Sequence, residues 1–116
     1  MKKQFFKKSD IIFHEGSKGN CAFLIEKGKV AIYGMDAKKN ARLLAVLKKN
    51  EIFGEMGLID NQPRSATAVA LENCELTLIR DKTIGYLMKN DPFALRPLLR
   101  VLSQRLRETT RQLYSH

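Results

Sequence analysis

Residues 53–67 read Phe-Gly-Glu-Met-Gly-Leu-Ile-Asp-Asn-Gln-Pro-Arg-Ser-Ala-Thr and set one carboxylate, Glu55, nine residues before one guanidinium, Arg64. Gly54 lets the backbone turn and come close to a ligand. The run Glu55-Met56-Gly57-Leu58-Ile59 is long enough for one helical turn, whose first amides and partial positive charge suit an anion. Arg64 adds a full charge and a planar fork of donors that matches phosphate. Ser65 offers a hydroxyl, the amides of Ser65 and Ala66 can point the same way, and their small side chains leave room. Glu55 would repel a bare phosphate. The pair makes sense for a ligand that carries sugar hydroxyls beside the phosphate. Spacing alone fits a structural salt bridge next to a turn equally well.

Other chemistries find no residues to carry them. His14 and His116 stand near opposite ends of the chain, and no Ser/His/Asp order, Cys/His pair or phosphate-loop lysine is present. An enzyme is therefore not expected. Cys21 and Cys74 are the two cysteines; with His14 and His116 they do not fall in the spacing of a zinc site, and they read as reduced thiols in or near strands. Neither a metal nor a cofactor is expected.

The elements that must position the pair change period along the chain. Up to residue 80 short apolar runs alternate with turns: Ile11–Phe13, Ala22–Ile25, Val30–Tyr33, Leu43–Leu47, Thr67–Leu71 and Glu75–Ile79 read as strands. Lys27-Gly28 punctuates a hairpin. Strands this short at this spacing predict a sandwich or barrel. From Asp81, an expected helix cap, a helix runs through Ile84, Tyr86, Leu87 and Met88 and stops at Asn90-Asp91-Pro92. Pro97 suits the first turn of a second, longer helix. There Leu95, Leu99, Leu102, Leu106, Thr109 and Leu113 are spaced 4, 3, 4, 3, 4, a heptad seam. The seam packs either on the chain's own barrel or on a helix of a second subunit, as in a homodimer.

With 116 residues and 44% hydrophobic content the chain fits one compact domain, 1–116, comprising a β part (1–80) and a helical part (81–116). The start is basic, but no apolar stretch of a secretory signal follows it, and no run is long enough to span a bilayer. A cytoplasmic protein without a membrane partner is expected. Net charge is +9, from 21 Lys and Arg against 12 Asp and Glu. The charges are scattered in pairs such as Lys7/Lys8, Lys38/Lys39 and Lys48/Lys49, with no nucleic-acid-binding motif. Direct nucleic-acid binding by this chain alone is not expected. The excess charge would still concentrate any anionic ligand.

The segments Phe53–Leu58 and Pro63–Thr67 resemble the phosphate-binding cassette of the cyclic nucleotide-binding domain family, found in the catabolite activator protein, protein kinase A regulatory subunits and cyclic nucleotide-gated channels. The likeness extends over nearly the whole chain, through the hairpin centred on Gly28 and the two C-terminal helices. It implies a mainly β fold: a double-stranded β-helix, or jelly roll, of about eight antiparallel strands, followed by a short hinge helix and a long C-terminal lid helix. It implies that Glu55 holds a ribose hydroxyl and that Arg64 pairs with the cyclic phosphate, helped by Ser65 and by amides near Gly54 and Ala66. Ile32, Leu44 and Ala45 would line the pocket. Met56 of the cassette and Arg105, Thr109 and Thr110 of the lid helix complete the implied ligand set, the two threonines facing adenine within one subunit or across to a neighbour. The sequence departs from the family at Asn50, Gly57 and Ala68, none of them an implied ligand contact. The resemblance implies a sensor or regulatory domain for cAMP, with cGMP second because Ser65 stands where some cGMP-preferring domains carry Thr. The alternative is a degenerate module of the same fold that serves dimerisation and no longer binds nucleotide.

Overall fold

Sheets whose strands are covered on both faces read as unbroken apolar runs, and those covered on one face read as alternation. Both patterns occur in this chain, and together they explain its layers. The computed structural model describes residues 2–55, 58, 62–101, 103, 104 and 107. Among them the strands are β1 (Lys3–Phe6), β2 (Ile11–Phe13), β3 (Ala22–Lys27), β4 (Val30–Met35), β5 (Ala41–Leu47), β6 (Ile52–Phe53), β7 (Thr67–Ala70) and β8 (Cys74–Ile79). They form two four-stranded antiparallel sheets, ordered β1-β8-β3-β6 and β2-β7-β4-β5. This is the mainly β roll that the resemblance implies. No helix among the described residues is long and apolar enough to cross a membrane.

One face of the first sheet supplies the core. Phe23 and Ile25 of β3, Phe53 of β6 and Leu76 and Leu78 of β8 pack with Val30, Ala68 and Ala70 of the second sheet. Ile25, Leu76 and Val30 are the largest side chains wholly removed from water, each stabilising by about 1.5–3 kcal/mol. The other face carries Ala22, Ile52 and Ile79, and it is covered by Leu98, with Leu24, Leu58, Ile84 and Val101 around it. That second cover is why β3 is apolar on both faces from Ala22 to Ile25 and β8 at Leu78 and Ile79.

The helical part follows as a cover. Helix α1 spans Asp81–Asn90 and a 3-10 turn spans Pro92–Leu95. Helical backbone resumes at 96–101, with Pro97 in its first turn, where a missing N–H is not needed. Three expectations need correction. Arg80, not Asp81, is the N-cap of α1 and makes no side-chain capping bond. Asp81 is the first helical residue, where its charge meets the positive end of the helix. The basic start of the chain forms strand β1, because Phe6 packs against the core, while Lys3 stays outside and pairs with Glu75 at 2.9 Å. Leu99, a seam residue, is 59% exposed, whereas Leu98 and Val101 just beside it pack on the roll. Leu95, the other described seam residue, is half-buried, so of the described seam residues only Leu99 faces away from the roll. Leu102, Leu106, Thr109 and Leu113 lie outside the described residues.

Two glycines test how far the turns dictate sequence. Gly28, between β3 and β4, has φ +97°, and a Cβ there would lie 2.6 Å from the Asn73 carbonyl oxygen and 2.7 Å from Cys74 Sγ. Gly85, inside α1, has nothing within 4 Å of a Cβ position. Replacing Gly28 with Ala is expected to lower unfolding free energy by about 2 kcal/mol or more, since both backbone and space are wrong. Gly85→Ala is expected to raise it by about 0.5–1 kcal/mol. Urea denaturation of the two variants checks both signs.

Candidate functional site

Arg64 is fixed by backbone before its side chain does anything. Its N–H donates to the Ser17 carbonyl at 2.8 Å, and its own carbonyl accepts from Gly16 N–H at 2.7 Å. The loop before β3 and the loop before β7 are thereby clamped together at this residue. Gly16 enters the clamp at φ +83°. The guanidinium then runs inward. Nη1 donates to the Gly54 carbonyl at 2.8 Å, and Nη2 donates to the Cys21 carbonyl at 2.9 Å. The Phe13 ring lies beneath it, 4.3 Å from ring centroid to Cζ. Phe13, Phe23 and Phe53 stack into one aromatic cluster, with centroid separations of 5.3–6.0 Å. Arg64 is only 7% exposed.

Glu55 is 2% exposed. It follows Gly54, whose φ of +73° turns the chain out of β6. The Leu58 N–H donates to the Glu55 carbonyl at 3.0 Å, which closes the turn expected there. Both charged residues line one cavity of about 670 Å³, within the ~300–1,000 Å³ usual for small-molecule sites.

The cavity gathers much of the expected set and adds to it. Ile32 from β4, Ala45 from β5 and Gly54, Glu55, Arg64, Ser65 and Ala66 all line it. Leu44 does not. Ile32 pairs with Ala45 and Tyr33 with Leu43, so Leu44 is the extra residue of a β-bulge. Its side chain lies over the backbone of Gly34 and is 62% exposed. Met56, Arg105, Thr109 and Thr110 lie outside the described residues. Asn50, a departure from the family pattern, adopts φ +74°, a left-handed backbone that Asn tolerates well.

Sequence reasoning missed the far wall. Pro97, Arg100, Val101 and Gln104 line the cavity from the C-terminal helix. Their spacing of three and four residues places them on one helix face, a signal present in the sequence but masked by the stronger leucine seam. In the sequence Phe13 carries only a strand signal and Cys21 only that of a reduced thiol. Both cysteines are free and buried. Burial pushes the Cys74 thiol above its ordinary value. Among the described residues no group of three His, Cys, Asp or Glu side chains could hold a metal ion.

Residues 3–91 match the family described as the cyclic nucleotide-binding domain. The cyclic AMP receptor protein of Thermus thermophilus is 36% identical over 102 residues, which are 88% of this chain and 47% of that protein. Human cGMP-dependent protein kinase 2 is 35% identical over 80 residues, 68% of this chain and 10% of the kinase. The crystal structure of Thermus thermophilus catabolite activator protein superposes with a TM-score of 0.82 at 33% identity, covering 97% of this chain and 53% of that one. The chain thus spans about half the length of the first of these relatives and a tenth of the second. On the strength of the family match over residues 3–91, the chain belongs to the cyclic nucleotide-binding domain family.

Proposed function

We propose that the chain is a cyclic nucleotide sensor, with cAMP its first ligand and cGMP its second. The observation that carries this reading is a buried carboxylate and a buried guanidinium on the wall of one nucleotide-sized cavity. Arg64 would take the cyclic phosphate, with Ser65 and the neighbouring amides around it. Glu55 would accept a ribose hydroxyl, a role that explains an acid beside a phosphate site. Ile32 and Ala45 would give the base an apolar wall. Two or three charge-assisted hydrogen bonds at ~1.5–3 kcal/mol each, with an apolar base, reach the −8 kcal/mol of micromolar binding. The alternative of a degenerate module finds less support, since both charged members of the pair are present and buried at the cavity.

The switch in this reading is the C-terminal helix. One side of it touches the roll through Leu98 and Val101, and the same stretch lines the cavity through Pro97, Arg100, Val101 and Gln104. A nucleotide that contacts this wall would bias the helix toward the roll, by no more than its differential affinity for the two arrangements. Arg105, Thr109 and Thr110 would complete the lid over the base. The exposed Leu99 supports a homodimer through this helix. The role is regulatory and not catalytic.

Isothermal titration of the chain with cAMP is expected to give a one-site curve in or below the micromolar range. Arg64→Leu is expected to weaken it by about 10- to 100-fold, the loss of one charged hydrogen-bonded contact. Absence of heat with both cAMP and cGMP would reject the reading. In a direct competition between the two nucleotides cAMP is expected to win, and a cGMP preference would reverse that order.

A further inference from the structure

Among the described residues, the groups that orient the Arg64 side chain are neutral. Its hydrogen bonds go to two backbone carbonyls, those of Gly54 and Cys21, and its further contacts are the Cys21 sulfur at 3.7 Å and the face of Phe13 at 4.3 Å. These are dipoles and a ring quadrupole. Arginine cannot shed its proton in a protein, so the charge stays. Among the described residues Nε has no hydrogen-bond partner although it is fully buried.

The remaining wall of this seat is Gly19. A Cβ there would fall on the Arg64 guanidinium, overlapping Nε and Cζ and lying 2.5 Å from Nη2. Gly19 is not among the positive-φ residues. Its backbone conformation is open to alanine, and the only thing glycine provides is space for the arginine. Gly54 differs, since its φ of +73° demands glycine on its own account.

We propose that Gly19 and Phe13 are positioning residues that form a slot for the Arg64 guanidinium, with the bare Cα of Gly19 beside it and the Phe13 ring beneath it, so that its positive charge is held at a fixed place on the cavity wall. This rests on the cyclic nucleotide reading for the identity of the anion, but the slot itself does not. A neutral slot orients the cation and leaves its field for the ligand, whereas a carboxylate in the same place would spend that field.

The test uses the full chain. Gly19→Ala should melt below wild type, because displacing the guanidinium leaves the Gly54 and Cys21 carbonyls without their donors, and circular dichroism at the binding temperature checks that the variant is folded there. It should bind cAMP about tenfold more weakly or worse, while adding little in an Arg64→Leu background. Phe13→Leu should weaken cAMP by up to about tenfold and Phe13→Tyr should restore most of it, as expected for loss and return of an aromatic face under a cation. Wild-type affinity in Gly19→Ala, or the same weakening with and without Arg64, would overturn the proposal. If the wild-type chain gives no heat with either cyclic nucleotide, the functional reading fails and the slot is decided by NMR of the Arg64 Nε–Hε group. The slot predicts a ring-current-shifted, slowly exchanging signal that survives in Phe13→Tyr and is displaced in Gly19→Ala. An unchanged signal in Gly19→Ala would refute the slot.

Discussion

A permanently charged guanidinium inside a small β-roll is the constraint on which the rest of this structure depends. Burying an unpaired charge is costly enough that proteins pair it, bond it or move it out. Here Arg64 stays in, at 7% exposure, held by the Gly54 and Cys21 carbonyls and by the Phe13 ring. Each holder comes from a different part of the chain. Phe13 ends β2, Cys21 precedes β3, and Gly54 follows β6. The backbone clamp through Gly16 and Ser17 keeps the two loops in register at residue 64. The site therefore forms only when the roll is closed, and the roll supplies its neutral acceptors as by-products of strand ends.

The two-faced first sheet ties the site to the helices. Phe23 and Phe53 point into the roll and stack beneath the arginine's surroundings, while Ala22 and Ile52, their immediate neighbours in β3 and β6, point outward under Leu98. A shift of the C-terminal helix is thus felt one residue away from the aromatic cluster. The same helix turn lines the cavity. A ligand at Arg64 and a helix at Leu98 would share two thin strands, which is the physical basis for coupling in the proposed switch.

Much of this was legible in the residues. The turns, most strands and the position where α1 stops followed from Gly, Asn-Asp-Pro and apolar spacing, because those signals are local. Glu55 and Arg64 stood out for their chemistry. Strand β1 was not legible, since Phe5 and Phe6 sit among four lysines and only pairing with β8 gives them a role. The two residues of β6 are too few to show a period, and their register with β3 is a tertiary fact. Leu44 was misplaced because a bulge flips the side-chain alternation, and no local residue type announces it. Phe13 and Gly19 carry no chemical signal alone; their meaning appears only when Arg64 arrives from some fifty residues away.

The most direct test of the account is a crystal structure of this chain grown with cAMP. The account predicts the nucleotide in the cavity between Ile32 and Val101, with a phosphate oxygen about 2.7–2.9 Å from the Arg64 guanidinium and a ribose hydroxyl on Glu55. A nucleotide seated with its phosphate away from Arg64, or held only by surface lysines, would contradict it.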